Sequence, residues 1–175
     1  MRIILTGGIT GGHIYPALAI ADQFKEIDAN AEFLYLGSDE GMEKYIVPKH
    51  GYELKYIDSR WFDRSSPLKL AKTLLKNEKG KRETIRAMKR FKPDFVMSTG
   101  SFVSVPVALA AKSLGIPIYI HEQNAYPGMA NKLLSKYARR VFLGFEAARR
   151  YFPSAKVVYT GNPVRNEFGE QSRSD

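Results

Sequence analysis

The sequence predicts an α/β protein with a doubly wound, mostly parallel sheet. Short apolar runs rich in Ile, Val, Tyr and Phe alternate with longer helical patterns along the chain. The runs are almost continuously apolar, as in parallel strands that are covered on both faces. Repeated strand–helix units of this length imply right-handed crossovers in an open sheet. With 175 residues and 44% hydrophobic content, we expect one globular domain with its own core.

The elements follow in order from these runs. The first run, Arg2–Thr6, is expected to be a buried strand rather than part of a secretory signal. The further strands are predicted at 32–36, 53–57, 94–98, 117–121, 140–143 and 156–159. The helices are predicted at 13–27, 42–50, 68–91, 105–114, 128–137 and 145–151, and the pattern over 68–91 is expected to be two helices broken near Lys79-Gly80.

Ligands of such sheets bind outside the carboxyl ends of the strands. That rule selects four loops, which follow the first, fourth, fifth and last strands. They are residues 7–12, 99–104, 122–128 and 161–165. We therefore expect the functional site where these loops meet.

The first loop holds four glycines in six positions: Gly7, Gly8, Gly11 and Gly12. Glycines let backbone N–H groups approach a ligand, and the following helix offers its positive end, which suits a phosphate or pyrophosphate. No Lys-Ser/Thr pair follows, which excludes the Walker pattern, and the spacing differs from the dinucleotide fingerprint. A plain tight turn is the alternative interpretation.

His13 stands where this loop becomes a helix. A helix N-terminus disfavours imidazolium, so the ring is expected to be available as a neutral base. The alternative is a helix-terminal histidine that packs on a neighbour.

The third loop begins with four consecutive hydrogen-bonding side chains, His121 to Asn124. Such a run is ill suited to a core and well suited to binding sugar hydroxyls, and Glu122 could accept a proton. The second loop can add backbone donors, although a routine strand–helix turn is the simpler interpretation. No His/Asp/Glu spacing resembles a metal site, and the absence of cysteine excludes thiolate zinc and disulfides.

The net charge of +9 is concentrated in one segment. Eleven of the 27 Lys and Arg residues lie between Arg64 and Lys92, beside two acids, and the rest of the chain is balanced. This pattern indicates an anionic partner at one face, either nucleic acid or a membrane surface. Leucines alternate with the basic residues, as in interfacial helices, and no aromatic motif for base stacking accompanies them.

These residues favour an anionic membrane, although the basic segment alone does not decide between the two partners, and a solvated helix over a buried leucine stripe is the simpler interpretation. The expected membrane-facing residues are Lys69, Lys72, Lys76, Arg86 and Lys89. The longest apolar stretch, Phe102–Ala111, is too short to span a bilayer, so a soluble protein is expected.

Several motifs together resemble the MurG glycosyltransferase family, in the same order and with similar spacing. They are Gly-Gly-Ile-Thr-Gly-Gly-His-Ile-Tyr-Pro at 7–16, Val-Pro-Lys-His-Gly at 47–51, Thr-Gly-Ser-Phe-Val-Ser-Val-Pro at 99–106, His-Glu-Gln-Asn at 121–124, Asn131-Lys132, and Gly-Asn-Pro-Val-Arg at 161–165. The resemblance covers essentially the whole chain.

The resemblance implies a GT-B enzyme, with two Rossmann-like domains facing a cleft. Such enzymes need no cofactor and transfer N-acetylglucosamine, with inversion, from its UDP conjugate to the muramoyl sugar of an undecaprenyl-pyrophosphate-linked peptide. The N-terminal domain takes the lipid acceptor, and the C-terminal domain holds most of the donor. The implied location is peripheral, on the cytoplasmic face of the bacterial inner membrane.

The resemblance also assigns roles to residues. It makes His13 the general base, with Glu122 as the competing residue. The implied donor contacts are Thr10, Gly11, Gly12, Asn124 and Arg165. The implied contacts to the acceptor pyrophosphate are Gly7, Gly8, Gly100, Ser101, Phe102 and Asn131. Ile9, Ser101 and Val105 depart from the family, which usually has glycine at those positions.

By the same resemblance, residues 1–165 are expected to form the acceptor-binding domain and 166–175 the start of an interdomain linker or a disordered tail, while the donor domain is missing. A fragment of a longer enzyme is favoured over one subunit of a split transferase, and this half alone is expected to be inactive. The other alternative is a non-enzymatic, basic nucleotide-binding module.

Overall fold

A computed structural model describes residues 1–60 and 65–164. Its seven strands form one sheet in the order β3-β2-β1-β4-β5-β6-β7, and every neighbouring pair is parallel. The strands are Arg2–Gly7 (β1), Glu32–Gly37 (β2), Glu53–Tyr56 (β3), Phe95–Gly100 (β4), Ile118–Glu122 (β5), Arg140–Leu143 (β6) and Val157–Tyr159 (β7). The predicted fold class and strand positions are confirmed.

Helices cover both faces of the sheet. They are Gly11–Ile27 (α1), Glu43–Lys49 (α2), Pro67–Phe91 (α3), Ser104–Ser113 (α4) and Met129–Leu134 (α5). The α-helix predicted over 145–151 is wrong in type, because Glu146–Tyr151 forms a 3₁₀-helix, as does Ser154–Lys156.

Two separate apolar clusters hold these layers together. Alternate residues of β1 point to opposite faces, so Ile3 and Leu5 pack with α1 and α2, whereas Ile4 packs with the buried faces of α3 and α4. Burial on both faces explains why the five inner strands appear in the sequence as apolar runs, whereas the edge strands β3 and β7 are largely exposed. The chain therefore reverses its winding between β1 and β4, from which α1 and α4 leave toward opposite faces.

The predicted break near Lys79-Gly80 is wrong, because α3 runs without interruption over 25 residues. A Cβ on Gly80 would lie 1.7 Å from the backbone oxygen of Asp58. Glycine therefore lets the helix pass close to the segment after β3, and Lys79 reinforces this contact with an ion pair to Asp58. The tertiary contact outweighs the helix-weakening tendency of glycine.

Candidate active site

The predicted functional loops gather at the carboxyl edge of the sheet. The winding of the sheet reverses between β1 and β4, which is where ligand sites of open α/β sheets are expected. His13, in the first turn of α1, meets the loop after β4 there. A cavity of about 230 Å³ opens at this point. It is lined by His13, Gly100, Ser101, Phe102, Asn131 and residues 128–130.

The cavity thus brings together the proposed base and four of the six residues expected to bind the acceptor pyrophosphate. Gly7 and Gly8 do not line it. A Cβ on Gly7 would lie 2.0 Å from Thr99 Oγ1, and one on Gly8 would lie 2.5 Å from Glu43 Oε1. Close packing therefore accounts for glycine at these two positions.

The carboxyl end of β4 contacts the His13 ring and fixes its position. Its Nδ1 lies 2.9 Å from the carbonyl oxygen of Thr99, whose hydroxyl in turn donates to the backbone oxygen of His13 at 2.6 Å. Gly100 permits this approach, because a Cβ there would come within 3.2 Å of the ring. Within residues 1–60 and 65–164, no hydrogen bond reaches Nε2, which leaves that nitrogen available to a ligand.

Glu122, the competing candidate, is 1% exposed and fully engaged. Its Oε1 accepts from the backbone and side-chain nitrogens of Asn124, at 2.9 and 3.1 Å. Its Oε2 accepts from the Gly128 backbone at 3.1 Å and from Asn131 Nδ2 at 2.9 Å. The carboxylate therefore fixes the 123–128 loop and anchors it to α5, with two donors on each of its oxygens.

The expectation that the run 121–124 is ill suited to a core is wrong for its first two residues, which are buried. His121 is 3% exposed, and its Nε2 lies 3.2 Å from the Gly161 carbonyl. Burial lowers the pKa of His121, although the Gly161 carbonyl and the Glu122 charge oppose the shift. Local hydrogen bonds satisfy the Glu122 carboxylate and one ring nitrogen of His121, whereas His121 Nδ1 is buried without a partner in the described chain.

A second buried carboxylate, Glu43, holds the first loop. It is 0% exposed and accepts from the Ile9 backbone at 2.9 Å and the Ser38 backbone at 2.8 Å. The Tyr35 hydroxyl donates to the Gly7 carbonyl at 2.7 Å, and burial, aided by the Glu43 charge, raises the Tyr35 pKa well above its ordinary value. The Tyr35 hydroxyl therefore stays protonated and can donate. Tyr35 and Glu43 together fix the first loop.

Sequence reasoning missed Glu43. One signal was available, since the apolar Ile46 and Val47 follow it by three and four residues. That spacing places Glu43 on the buried face of its helix.

Two of the departures from the family pattern adopt glycine-like conformations. Ile9 has φ +73° and Ser101 has φ +77°, in the left-handed region that side chains disfavour. The two bonds that hold Ile9, from its N–H to Glu43 and from Met42 N to its carbonyl, help to maintain this conformation. Val105, the third departure, lies buried inside α4.

The expected donor contacts lie at the open side of the same edge. Thr10 and Gly12 are exposed at the N-terminus of α1, and Gly11 between them is half-buried. Asn124 is exposed on the 123–128 loop. The expected Arg165 lies outside the described residues. No group of side chains suited to a metal ion occurs in the described part of the chain.

Comparison with known proteins places this chain in a protein family. The family model described as "Glycosyltransferase family 28 N-terminal domain" matches residues 3–143. Two relatives, from Caldicellulosiruptor saccharolyticus and Bacillus licheniformis, share 47% and 48% identity over 95% of this chain. Both are described as UDP-N-acetylglucosamine--N-acetylmuramyl-(pentapeptide) pyrophosphoryl-undecaprenol N-acetylglucosamine transferase.

The alignments cover 45% and 46% of those two relatives, so the chain spans about half their length. A crystal structure of Acinetobacter baumannii MurG is similar, with a TM-score of 0.79 and 32% identity over 99% of this chain and 49% of that one. The sheet accordingly corresponds to the N-terminal, Rossmann-like half of a GT-B glycosyltransferase. The chain belongs to the glycosyltransferase family 28 N-terminal domains, as the MurG-like motifs of its sequence predict.

Proposed function

We propose that this chain is the acceptor-binding half of an inverting glycosyltransferase. The complete enzyme moves N-acetylglucosamine from UDP-N-acetylglucosamine to the muramoyl sugar of an undecaprenyl-pyrophosphate-linked peptide, a step of peptidoglycan synthesis. The observation that carries the proposal is the His13 Nε2 atom, a nitrogen without a partner in the described chain, beside a cavity at the switch point of the sheet. Relatives named as this transferase share nearly half of the aligned residues.

In the proposed reaction, the acceptor hydroxyl lies at His13 Nε2. The ring takes the hydroxyl proton while the oxygen bonds to the anomeric carbon of the donor, and the bond from that carbon to the UDP oxygen breaks. The proton then resides on His13, and Nδ1–H donates to the Thr99 carbonyl, which stabilises the imidazolium. Glu122 is the weaker alternative, because four donors already occupy its oxygens.

Backbone groups supply the expected anion contacts. The first N–H groups of α1, at Gly11 and Gly12, lack partners within the helix and are therefore available to the donor. Gly100, Ser101 and Phe102 bring backbone from the second loop to the cavity, where the acceptor pyrophosphate would lie. Asn131 lines the same cavity, although its Nδ2 already donates to His121 O and Glu122 Oε2. Its proposed role is therefore mainly to join the acceptor cavity to the 123–128 loop.

The reaction needs a donor domain that this chain does not contain in its described residues. The isolated 175-residue chain should therefore show no transfer of N-acetylglucosamine. A chimera that joins residues 1–165 to the donor domain of the B. licheniformis relative should transfer it, with the complete relative as the positive control. Turnover by the isolated chain would contradict the need for a second domain. A folded chimera that binds UDP-N-acetylglucosamine and leaves the acceptor unchanged would contradict the proposed function.

We also propose that the first turns of α3 hold the protein at an anionic membrane. Leu68, Leu74 and Leu75 are 80%, 51% and 73% exposed there, which argues against the buried leucine stripe. Lys69 and Lys72 are exposed beside them, and Lys76 is half-buried. Since α3 follows a strand of a parallel sheet, its N-terminus lies at the same edge as the cavity, where a lipid-linked acceptor would enter.

Basic side chains without an acidic partner in the described chain occur on the first turns of α3 and again on its last turns. In the described chain no acidic side chain pairs with Lys72, Lys76, Arg86 or Lys89, whereas Lys79, Lys81 and Arg82 pair with acids. Each basic side chain near an anionic bilayer contributes about 1 kcal/mol. Across residues 1–60 and 65–164, every helix is too short or too polar to cross a bilayer. The proposed attachment is therefore peripheral.

A further inference from the structure

An aromatic and basic platform, formed by Tyr126, Lys132 and Tyr151, lies beside the cavity. Tyr126 is on the 123–128 loop, Lys132 is in α5, and Tyr151 ends the 3₁₀-helix Glu146–Tyr151. The two rings meet edge to face, with their centroids 5.1 Å apart. Lys132 Nζ lies 4.0 Å from the centroid of Tyr126 and 4.7 Å from that of Tyr151. Three elements that are separate in sequence thus converge on one ammonium group.

The platform is exposed, although the loop that carries Tyr126 is fixed. Tyr126 is 68% exposed. The loop is held on both sides of it, because Glu122 accepts from the backbone N–H groups of Asn124 and Gly128. A fixed loop loses little conformational entropy when a ligand binds, and a tyrosine ring supplies a large contact area. The arrangement is therefore typical of a binding surface.

The platform carries positive charge without an acidic partner. Within the residues that the structure describes, no carboxylate pairs with Lys132 or with Arg150, whose Nη2 donates to the Tyr151 hydroxyl at 2.9 Å. The nearest acid along the chain, Glu146, is itself paired with Arg149. The ring faces attract the Lys132 ammonium, and its N–H groups remain available to an anion. The platform therefore fits a ligand that combines apolar surface with a negative charge.

The platform also continues one side of the cavity. Residues 100–102 line the side where the proposed function places the acceptor pyrophosphate, and residues 128–131 line the other. Tyr126 and Lys132 flank this second stretch in sequence. In the acceptor, the pyrophosphate and the peptide are attached to different carbons of the muramoyl sugar. A sugar whose pyrophosphate lies at 100–102 can thus extend its peptide past 128–131 and onto the platform.

We propose that the platform binds the peptide of the acceptor, with Lys132 paired to a peptide carboxylate and Tyr126 packed on the peptide chain. The two relatives from C. saccharolyticus and B. licheniformis have a pentapeptide in their names, and a peptide with a free C-terminus carries a carboxylate. The platform gives the acceptor site a preference for muramoyl sugars that bear an acidic peptide. The inference rests on the proposed function, because that function supplies the peptide-bearing acceptor.

The test is an NMR titration of the 175-residue chain with N-acetylmuramoyl-pentapeptide, and with the same compound after amidation of its carboxylates. Physiological salt screens the remaining positive charge of the chain. The parent should bind the carboxylate form about fivefold more tightly, the upper value for an exposed ion pair. Lys132→Gln should lose this preference and bind both forms as the parent binds the amidated one. Tyr126→Ala should weaken both forms roughly two- to tenfold, because the ring contact does not depend on charge.

The matched control is Lys136→Gln, which removes an exposed lysine from above the Tyr137 ring, outside the platform. It changes the net charge as Lys132→Gln does and should keep the preference of the parent. Loss of the preference in both lysine variants would overturn the proposal, since net charge alone would then explain it. A parent that binds both forms equally or binds neither, or a preference that survives Lys132→Gln, would overturn it as well.

The two-domain chimera separates this inference from the proposed function. There, Lys132→Gln should raise KM for the acceptor about fivefold and leave kcat unchanged, because the platform lies away from the reacting atoms. A chimera that does not transfer, with Lys132-dependent binding intact in the 175-residue chain, would contradict the proposed function and support the platform. Transfer by the chimera without that dependence would contradict the platform alone.

Discussion

The loop edge of the sheet and the first turns of α3 lie at the same end of the molecule but are built in opposite ways. At the loop edge, buried carboxylates are tied to backbone and side-chain N–H groups, and Glu43 and Glu122 together accept six hydrogen bonds. On the first turns of α3, exposed leucines lie beside basic side chains, and in the described chain no acid pairs with Lys72 or Lys76.

The difference separates two kinds of function. A site for chemistry has to hold its reacting atom within a fraction of an ångström, so the His13 ring is fixed through Thr99 while its Nε2 has no partner in the described chain. A surface for a bilayer needs only apolar area and charge, and neither requires fixed partners. We therefore expect substitutions in the two regions to affect different measurements.

The largest expected effect is on the rate of transfer. In the two-domain chimera, His13→Ala should lower kcat/KM by roughly 10²–10⁴-fold, the usual contribution of a general base. Binding to anionic vesicles should be unchanged, because His13 lies in the cavity rather than on α3. A loss below about tenfold with an intact fold would transfer the role to Glu122 or to no single residue.

A smaller and separate effect is expected at α3. Changing Lys69, Lys72, Lys76, Arg86 and Lys89 to Glu should reduce co-sedimentation with phosphatidylglycerol vesicles at least about tenfold at low salt. Binding by the parent should itself weaken as salt rises, because the Debye length falls from about 10 Å at 0.1 M to about 3 Å at 1 M. Transfer by the chimera to a short-chain, water-soluble acceptor should be unaffected.

The matched control reverses five exposed basic residues elsewhere. They are Lys44, Lys49, Lys55, Arg139 and Arg140, all outside α3. This variant carries the same net charge as the α3 variant and should still bind vesicles like the parent. Equal binding by the α3 variant and the parent would reduce the basic segment to a solvated face.

Much of the fold could be predicted from the sequence, because both faces of the sheet are buried and each strand appears as a separate apolar run. Gly80 misled the prediction of α3, since its close approach to Asp58 depends on a segment more than twenty residues earlier. The α-helix predicted over 145–151 was also wrong, because the helical periodicity there does not distinguish an α-helix from a short 3₁₀-helix.

The candidate site was predictable where its residues are local in sequence. The loops that hold His13 and Glu122 carry visible motifs. The sequence did not indicate that Glu122 is saturated by Asn124, Gly128 and Asn131, because that depends on the path of the loop. The bond from Ile9 to Glu43 and the contact of Gln123 with His13 join residues 34 and 110 positions apart, and no local pattern predicts such pairs.

The most direct test of the account compares the free energies of unfolding of His13→Ala and Glu122→Gln, measured by urea denaturation of the same chain. The substituted amide would place an NH₂ group against donors that now bond to a buried carboxylate, and hydrogen bonds to charged groups are each worth about 1.5–3 kcal/mol. Glu122→Gln should therefore cost about 2 kcal/mol or more. His13→Ala removes one bond to Thr99 and should cost about 1 kcal/mol. A Glu122→Gln chain as stable as the parent, or less destabilised than His13→Ala, would contradict the assignment of Glu122 to the scaffold and His13 to the chemistry.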